Sequence, residues 1–170
     1  MASREILTLE PAVRELARQV ISLAQEKVLD LLIYCTWRGP EEQARLYRKG
    51  RSLQQIIAKA TQLNNEFKRP DLAGMLMDVG PQHGKRIVTW AGPGQSLHHY
   101  GFAFDAVPMR DGKPVWGIEE PDDIRLWNLY GDIGTEVGLE WAGYWSERKR
   151  EFPHMQKPGS NWRELIRGNI

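Results

Sequence analysis

Two stretches constrain this chain more than any others: Ser96-Leu97-His98-His99-Tyr100-Gly101-Phe102-Ala103-Phe104-Asp105, and the later Glu151-Phe152-Pro153-His154. A zinc ion that keeps one position open for water takes three protein ligands, drawn from histidine and carboxylate side chains. His98, Asp105 and His154 would supply such a set. Glu151, just before the last histidine, adds a carboxylate able to take a proton from bound water. Phe102, Phe104 and Ala106 alternate with Ala103, Asp105 and Val107, which predicts a strand with two faces. Ala103 and Asp105 then share a face, Gly101 is expected to let the backbone pass close to the metal, and Ala103 to leave space beside it. A carboxylate and a histidine three apart on a straight strand face opposite sides, and Pro153 removes that straightness by favouring a turn.

The rest of the chain alternates helical and extended patterns. Val13, Leu16, Ala17, Val20, Ile21, Ala24 and Val28 recur at spacings of three and four, predicting an amphipathic helix over 10–28 with Thr8 as its cap. Leu31 to Thr36 is a short buried strand. Pro40 begins a second helix that Gly50 closes, and Ser52 to Phe67 forms a third. Lys68 to Lys85 has no sustained period and reads as a loop bordering the site, with one helical turn around Leu72 to Met77. Arg86 to Thr89 is predicted as a strand and Pro121 to Val137 as a helix. Leu139 to Ala142 and Pro153 to Gln156 are short strands, and Asn161 to Arg167 is a terminal helical turn or two. This mixed order argues for an α+β fold in one domain spanning 1–170.

Charge and composition exclude several classes. Basic and acidic residues nearly balance, 23 against 22, so there is no basic stripe for a nucleic acid. No window approaches the ~18 consecutive apolar residues of a membrane span, and no membrane insertion is expected. The single cysteine, Cys35, lies in the apolar run Leu31-Leu32-Ile33-Tyr34-Cys35 and reads as a small core residue with no intrachain disulfide partner. The first residues lack the apolar stretch of a secretory signal. The protein is therefore expected to be made in the cytoplasm, and a monomer is expected. Seven tryptophans suit either a packed core or a substrate groove.

Ser-x-His-x-x-Gly-x-Ala-x-Asp followed by carboxylate-x-x-His resembles the zinc-dependent D-alanyl-D-alanine carboxypeptidases and dipeptidases. Within that group it is most similar to the L-alanyl-D-glutamate endopeptidases used as phage endolysins. Trp37 to Arg51, Val88-Thr89 and Gly138 to Trp145 extend the likeness. The family commonly has Trp-Gly-Gly-Asp-Trp where this chain has Trp141-Ala142-Gly143-Tyr144-Trp145, so no acidic role passes to position 144. The resemblance implies a Hedgehog/D,D-peptidase-like arrangement, a small antiparallel sheet flanked by helices and carrying one zinc.

The same resemblance assigns roles. It selects His98 over His99 as a ligand and leaves His83 as a solvated histidine. It favours Glu151 over Glu140 as the general base, where the residues alone leave both open. Arg38 follows a buried strand, and its forked donors suit a carboxylate or a developing oxyanion. By itself it could equally pair with Glu41 or Glu42; the family's arginine at this landmark faces the substrate. Ser96, Gln43, Trp141 and Trp145 are expected substrate contacts, although tryptophans near chemistry are also often core. The implied function is hydrolysis of the peptidoglycan stem peptide at the L-Ala–D-Glu bond by a lysis enzyme. Such an enzyme reaches the wall once the membrane has been permeabilised. A D-Ala–D-Ala carboxypeptidase or dipeptidase is the alternative within the same chemistry. A non-catalytic zinc-containing wall-binding module is the alternative outside it.

Overall fold

The computed structural model describes residues 2–168. Residue 1 and residues 169–170, the ends of the expected 1–170 domain, lie outside the described residues. In chain order the elements are α1 (Pro11–Glu26), β1 (Leu31–Cys35), α2 (Pro40–Arg48), α3 (Leu53–Asn65), α4 (Pro70–Asp78), β2 (Ala103–Arg110), β3 (Lys113–Pro114), α5 (Pro121–Glu136), β4 (Glu140–Trp141), β5 (His154–Gln156) and α6 (Trp162–Leu165). The class is α+β. Two compact units divide these elements: residues 3–37 with 101–160, and residue 2 with 38–100 and 161–168. No helix among the described residues is long and apolar enough to cross a membrane.

The first unit contains the sheet. All its strand pairs are antiparallel, in the order β1-β2-β5-β4, with β3 folded back on the end of β2. The β2–β3 connection is Asp111-Gly112, both with positive φ (51° and 71°), the backbone that a two-residue hairpin requires. β2 is buried from Ala103 to Pro108 because it is the central strand. Its apolar side chains join α1 and α5 in one core containing Val13, Val20, Phe104, Val107, Trp127, Tyr130, Ile133, Trp141 and Met155. Gly101 adopts φ 71°, and a Cβ there would stand 2.7 Å from the Glu10 backbone nitrogen. The glycine therefore makes room for the turn entering α1, and its carbonyl accepts the Glu10 N–H at 3.0 Å. Glu10, not Thr8, caps α1, its carboxylate accepting from the Ala12 and Val13 N–H groups. Thr8 sits in a preceding 3-10 turn and shares a hydrogen bond with Thr36.

The second unit packs α2, α3, α4 and α6 around Ala44, Tyr47, Ile56, Leu63, Phe67, Leu72, Leu76 and Ile166. Ser52 and Gln55 form a reciprocal capping box at the start of α3. Two expectations are corrected here. The stretch after Lys68 contains a nine-residue helix, α4, instead of one turn. Pro70 starts it, and Leu72 and Leu76, four apart, bury one face. Residues 86–89 form no strand. Their neighbourhood is held by side chains: the Arg51 guanidinium donates to the Thr89 carbonyl at 2.6 Å, and the Gln43 amide donates to the Ala91 carbonyl at 2.7 Å.

Candidate metal centre

In the sheet unit, strand register gathers chemically active side chains into rows. Asp105 on β2 lies opposite Cys35 on β1 and opposite His154 on β5. Residues directly opposite on antiparallel strands project to the same face, so Cys35, Asp105 and His154 form one cross-strand row. All three are buried, at 2%, 8% and 8% exposure. A neighbouring row runs Ala103, Gln156, Glu140. Ala103 contributes only a methyl group there.

Within the first row, His154 Nδ1 lies 3.2 Å from Asp105 Oδ1. The Cys35 sulfur and an Asp105 carboxylate oxygen come within 4.8 Å. Nitrogen and oxygen donors on one tetrahedral zinc, each ~2.1 Å from it, stand about 3.4 Å apart. The Asp105–His154 spacing matches that edge, and an imidazole with a carboxylate is a donor set that zinc favours. These residues fit a metal ion.

The segment that delivers His154 is held by buried aromatic donors. Trp141 Nε1 donates to the Phe152 carbonyl at 2.7 Å, and the Tyr130 hydroxyl donates to the Pro153 carbonyl at 3.0 Å. The His154 N–H closes a turn on the Glu151 carbonyl at 3.3 Å. Glu151 therefore precedes β5 in a bend, as Pro153 predicts, and its side chain is exposed. The charges can be read from His154. Burial pulls its pKa down, but the Asp105 hydrogen bond and charge, the Glu151 charge and the Gln156 contact outweigh burial and raise it above the usual 6.5.

The second row supports the first. Glu140 Oε1 accepts from Trp145 Nε1 at 2.6 Å, and Glu140 Oε2 accepts from Gln156 Nε2 at 3.0 Å. Gln156 Oε1 lies 3.2 Å from His154 Nε2. Both Glu140 oxygens are thus engaged with donors. The Trp145 and His154 rings lie 5.6 Å apart. Trp145 is half-buried, as a groove wall would be. Trp141 is only 2% exposed and belongs to the core, which corrects its expected place on a substrate wall.

Arg38, Gln43, Ser96 and His98 belong to the helical unit. Arg38 Nη1 donates to Gln43 Oε1 at 3.2 Å, and the Arg38 N–H donates to the His98 carbonyl at 3.3 Å. Gln43 is 1% exposed and also donates to Thr89 Oγ1 at 3.2 Å, so it orients Arg38 from beneath. Glu41 pairs instead with Arg45 at 2.6 Å. His98 is buried in a 3-10 turn, Leu97–Tyr100, and Ser96 accepts the His99 N–H through its carbonyl. His83 is exposed, as expected of a solvated histidine.

Gln156 and the nearness of Cys35 to Asp105 are not among the features that the sequence motifs point to. Gln156 could have been found, because it stands two residues after His154 on a short strand and shares its face. Cys35 could not, because its row is fixed by a register irregularity between Ile33 and Cys35.

Residues 7–115 match the VanY-type family described as D-alanyl-D-alanine carboxypeptidase, and residues 90–157 match a second family of the same description. The peptidoglycan L-alanyl-D-glutamate endopeptidase CwlK of Bacillus subtilis (strain 168) is 28% identical over 152 residues, covering 87% of this chain and 72% of CwlK. The LdcB LD-carboxypeptidase shares the fold at a TM-score of 0.51 and 15% identity, over 95% of this chain. The chain spans 64% of that LdcB chain. The Serratia marcescens L-Ala D-Glu endopeptidase ChiX is similar at a TM-score of 0.44 and 20% identity, over 92% of this chain and 88% of ChiX. The vancomycin resistance D,D-pentapeptidase VanY, solved with Zn(II), is similar at 0.49 and 15%, over 89% of this chain and 73% of VanY. With more than half of its length matched by the family, the chain belongs to the D-alanyl-D-alanine carboxypeptidase family of peptidases.

Proposed function

We propose that the protein is a zinc-dependent peptidoglycan hydrolase that cuts the stem peptide at the L-Ala–D-Glu bond. In this reading it acts as a single-domain, monomeric lysis enzyme of the phage endolysin type. The observation that carries the metallopeptidase reading is the buried Asp105–His154 pair at 3.2 Å with Glu151 in the turn just before it. The choice of bond is supported by the likeness to CwlK, an L-alanyl-D-glutamate endopeptidase. The lysis role rests on the endolysin-like motifs from Trp37 to Arg51 and Gly138 to Trp145.

The proposed zinc ligands are His98, Asp105 and His154. Bound there, zinc would act as a Lewis acid and lower the pKa of a bound water toward ~7. Glu151 takes the proton from the attacking water and returns it to the leaving amine. Its position before β5, with backbone fixed by Trp141 and Tyr130, keeps that carboxylate on an ordered turn. Arg38, oriented by Gln43, binds developing negative charge or a stem-peptide carboxylate. Ser96 and Trp145 border the substrate. Access to the wall follows permeabilisation of the membrane.

The family description favours a second reading, hydrolysis at the D-Ala–D-Ala end. Digestion of purified sacculi separates the two. The endopeptidase exposes new D-Glu amines and leaves L-Ala on muramic acid. Free D-alanine without new D-Glu termini would establish the carboxypeptidase instead. Release of neither product by zinc-loaded protein would leave a wall-binding module.

A further inference from the structure

We propose that Glu140 is a positioning residue that acts through Gln156 to hold His154 Nε2 against an acceptor, so that Nδ1 is the nitrogen offered to a metal. The inference rests on the reading that His154 is a metal ligand. Its basis is the donor and acceptor sequence along the second row. An ionised carboxylate only accepts hydrogen bonds, and an indole N–H only donates. Trp145 Nε1 occupies Glu140 Oε1 at 2.6 Å, leaving Glu140 Oε2 for Gln156. The Gln156 amide must therefore turn its NH2 toward Glu140, at 3.0 Å. Its carbonyl oxygen is then the group that faces His154 Nε2, at 3.2 Å. A carbonyl only accepts, so Nε2 carries a proton. Asp105 on the other side also only accepts, so the metal-free ring shares a proton from Nδ1 with it, and it is that Nδ1 proton, not the one on Nε2, that a metal would displace.

The arrangement has a chemical purpose at a metal site. An imidazole ligates through its unprotonated nitrogen, and a partner for the other N–H fixes ring orientation and raises ligand basicity. Here the partner is a neutral amide whose direction is imposed by a carboxylate one strand further away. Trp145 belongs to the same device, since its N–H orients Glu140. The row also explains why Glu140 and Glu151 differ in function. Glu140 has both oxygens committed to donors, whereas Glu151 adds its charge near His154 from the preceding turn.

The polarity argument supplies its own test. In Glu140→Gln, the Trp145 N–H retains the new carbonyl oxygen, so an NH2 faces Gln156. Gln156 then reverses, presents its NH2 to His154, and favours a proton on Nδ1 that blocks ligation. Zinc affinity, titrated with Zn2+ against a chromophoric chelator, should weaken by about tenfold or more, the usual range for lost ligand-orienting partners. The double variant Glu140→Gln/Gln156→Glu restores the order of donors and acceptors with the carboxylate moved one step. It should return the zinc Kd to within about threefold of wild type. Nitrogen-15 NMR of the zinc-loaded wild type should show a protected His154 Nε2–H, and this signal should return in the double variant. If His154→Ala weakens zinc binding while Glu140→Gln does not, the relay is wrong and the ligand assignment stands. A double variant no tighter than Glu140→Gln overturns the relay as well. If His154→Ala binds zinc like wild type, the ligand reading fails and the relay falls with it.

Discussion

Asp105 and His154 stand directly opposite each other on adjacent antiparallel strands, and their side chains meet at 3.2 Å in a buried part of the sheet. A carboxylate and an imidazole are costly to bury unless something offsets their desolvation. A shared proton does so in the metal-free protein, and a divalent ion would do so more strongly. The protein purified without chelator should therefore contain about one zinc per chain. Asp105→Ala, His154→Ala and His98→Ala should each lose stoichiometric metal, measured by elemental analysis. Full zinc occupancy in all three variants would refute the proposed ligand set.

The two glutamates near His154 should have separable effects. Glu151→Gln should retain zinc and fold while hydrolysis of sacculi drops by roughly two orders of magnitude or more, as expected for loss of a general base. Glu140→Gln should be milder at saturating zinc, because its defect lies in metal affinity. The comparison requires rates at several zinc concentrations. A Glu151→Gln protein with near wild-type turnover, beside an inactive Glu140→Gln protein at saturating zinc, would reverse the assignment.

Local pattern made the first half of this arrangement legible. Alternation placed Ala103 and Asp105 on one face of a strand, and Pro153 marked the turn between Glu151 and His154. Register was not legible, because it depends on how β1, β2, β5 and β4 align after the chain has folded. The Cys35–Asp105 and Gln156–Glu140 pairings were therefore invisible. Side-chain hydrogen bonds from Arg51 and Gln43 replaced the strand expected at 86–89, and strand propensity cannot anticipate them. Trp141 reads as a groove residue or a core residue equally well from its neighbours. Only the space left by distant residues decides for the core.

Proton binding at His154 should couple to stability and to metal affinity. Its folded pKa is raised above 6.5, chiefly by Asp105 acting against burial, with Glu151 assisting. A raised folded pKa means that the charged pair's contribution is fully present below the unfolded value of ~6.5 and is lost as pH rises through the folded pKa. The metal-free protein should therefore lose stability between pH 6 and the folded pKa by more than His154→Ala does. Zinc competes with the same proton, so its affinity should increase over that window. Denaturation midpoints of chelated protein across pH 6 to 9 test the first claim. Parallel slopes for wild type and His154→Ala would contradict it.

The last prediction concerns the seat of Trp141, whose indole fixes the backbone before His154. A Cβ added at Gly131 on α5 would meet Trp141 Cε3 at 2.1 Å, and one added at Gly143 would meet Trp141 Cζ2 at 2.2 Å. Glycine to alanine inside a helix ordinarily gains ~1 kcal/mol. At Gly131 overpacking should win, at about 1–3 kcal/mol before that gain, because the ring is rigid, 2% exposed and bonded to the Phe152 carbonyl. Gly134, one turn on, is a matched control: its added Cβ would meet Met155 Cε and Sδ at 2.1 Å, the movable end of a flexible side chain. Gly131→Ala should lower Tm by about 2–5 °C for a domain of this size, and Gly134→Ala should lower it less. Gly131→Ala should also weaken zinc binding, since shifting Trp141 disturbs the turn before His154. Equal Tm values for the two alanine variants, with zinc affinity unchanged in both, would show that Trp141 relaxes freely and does not hold that turn.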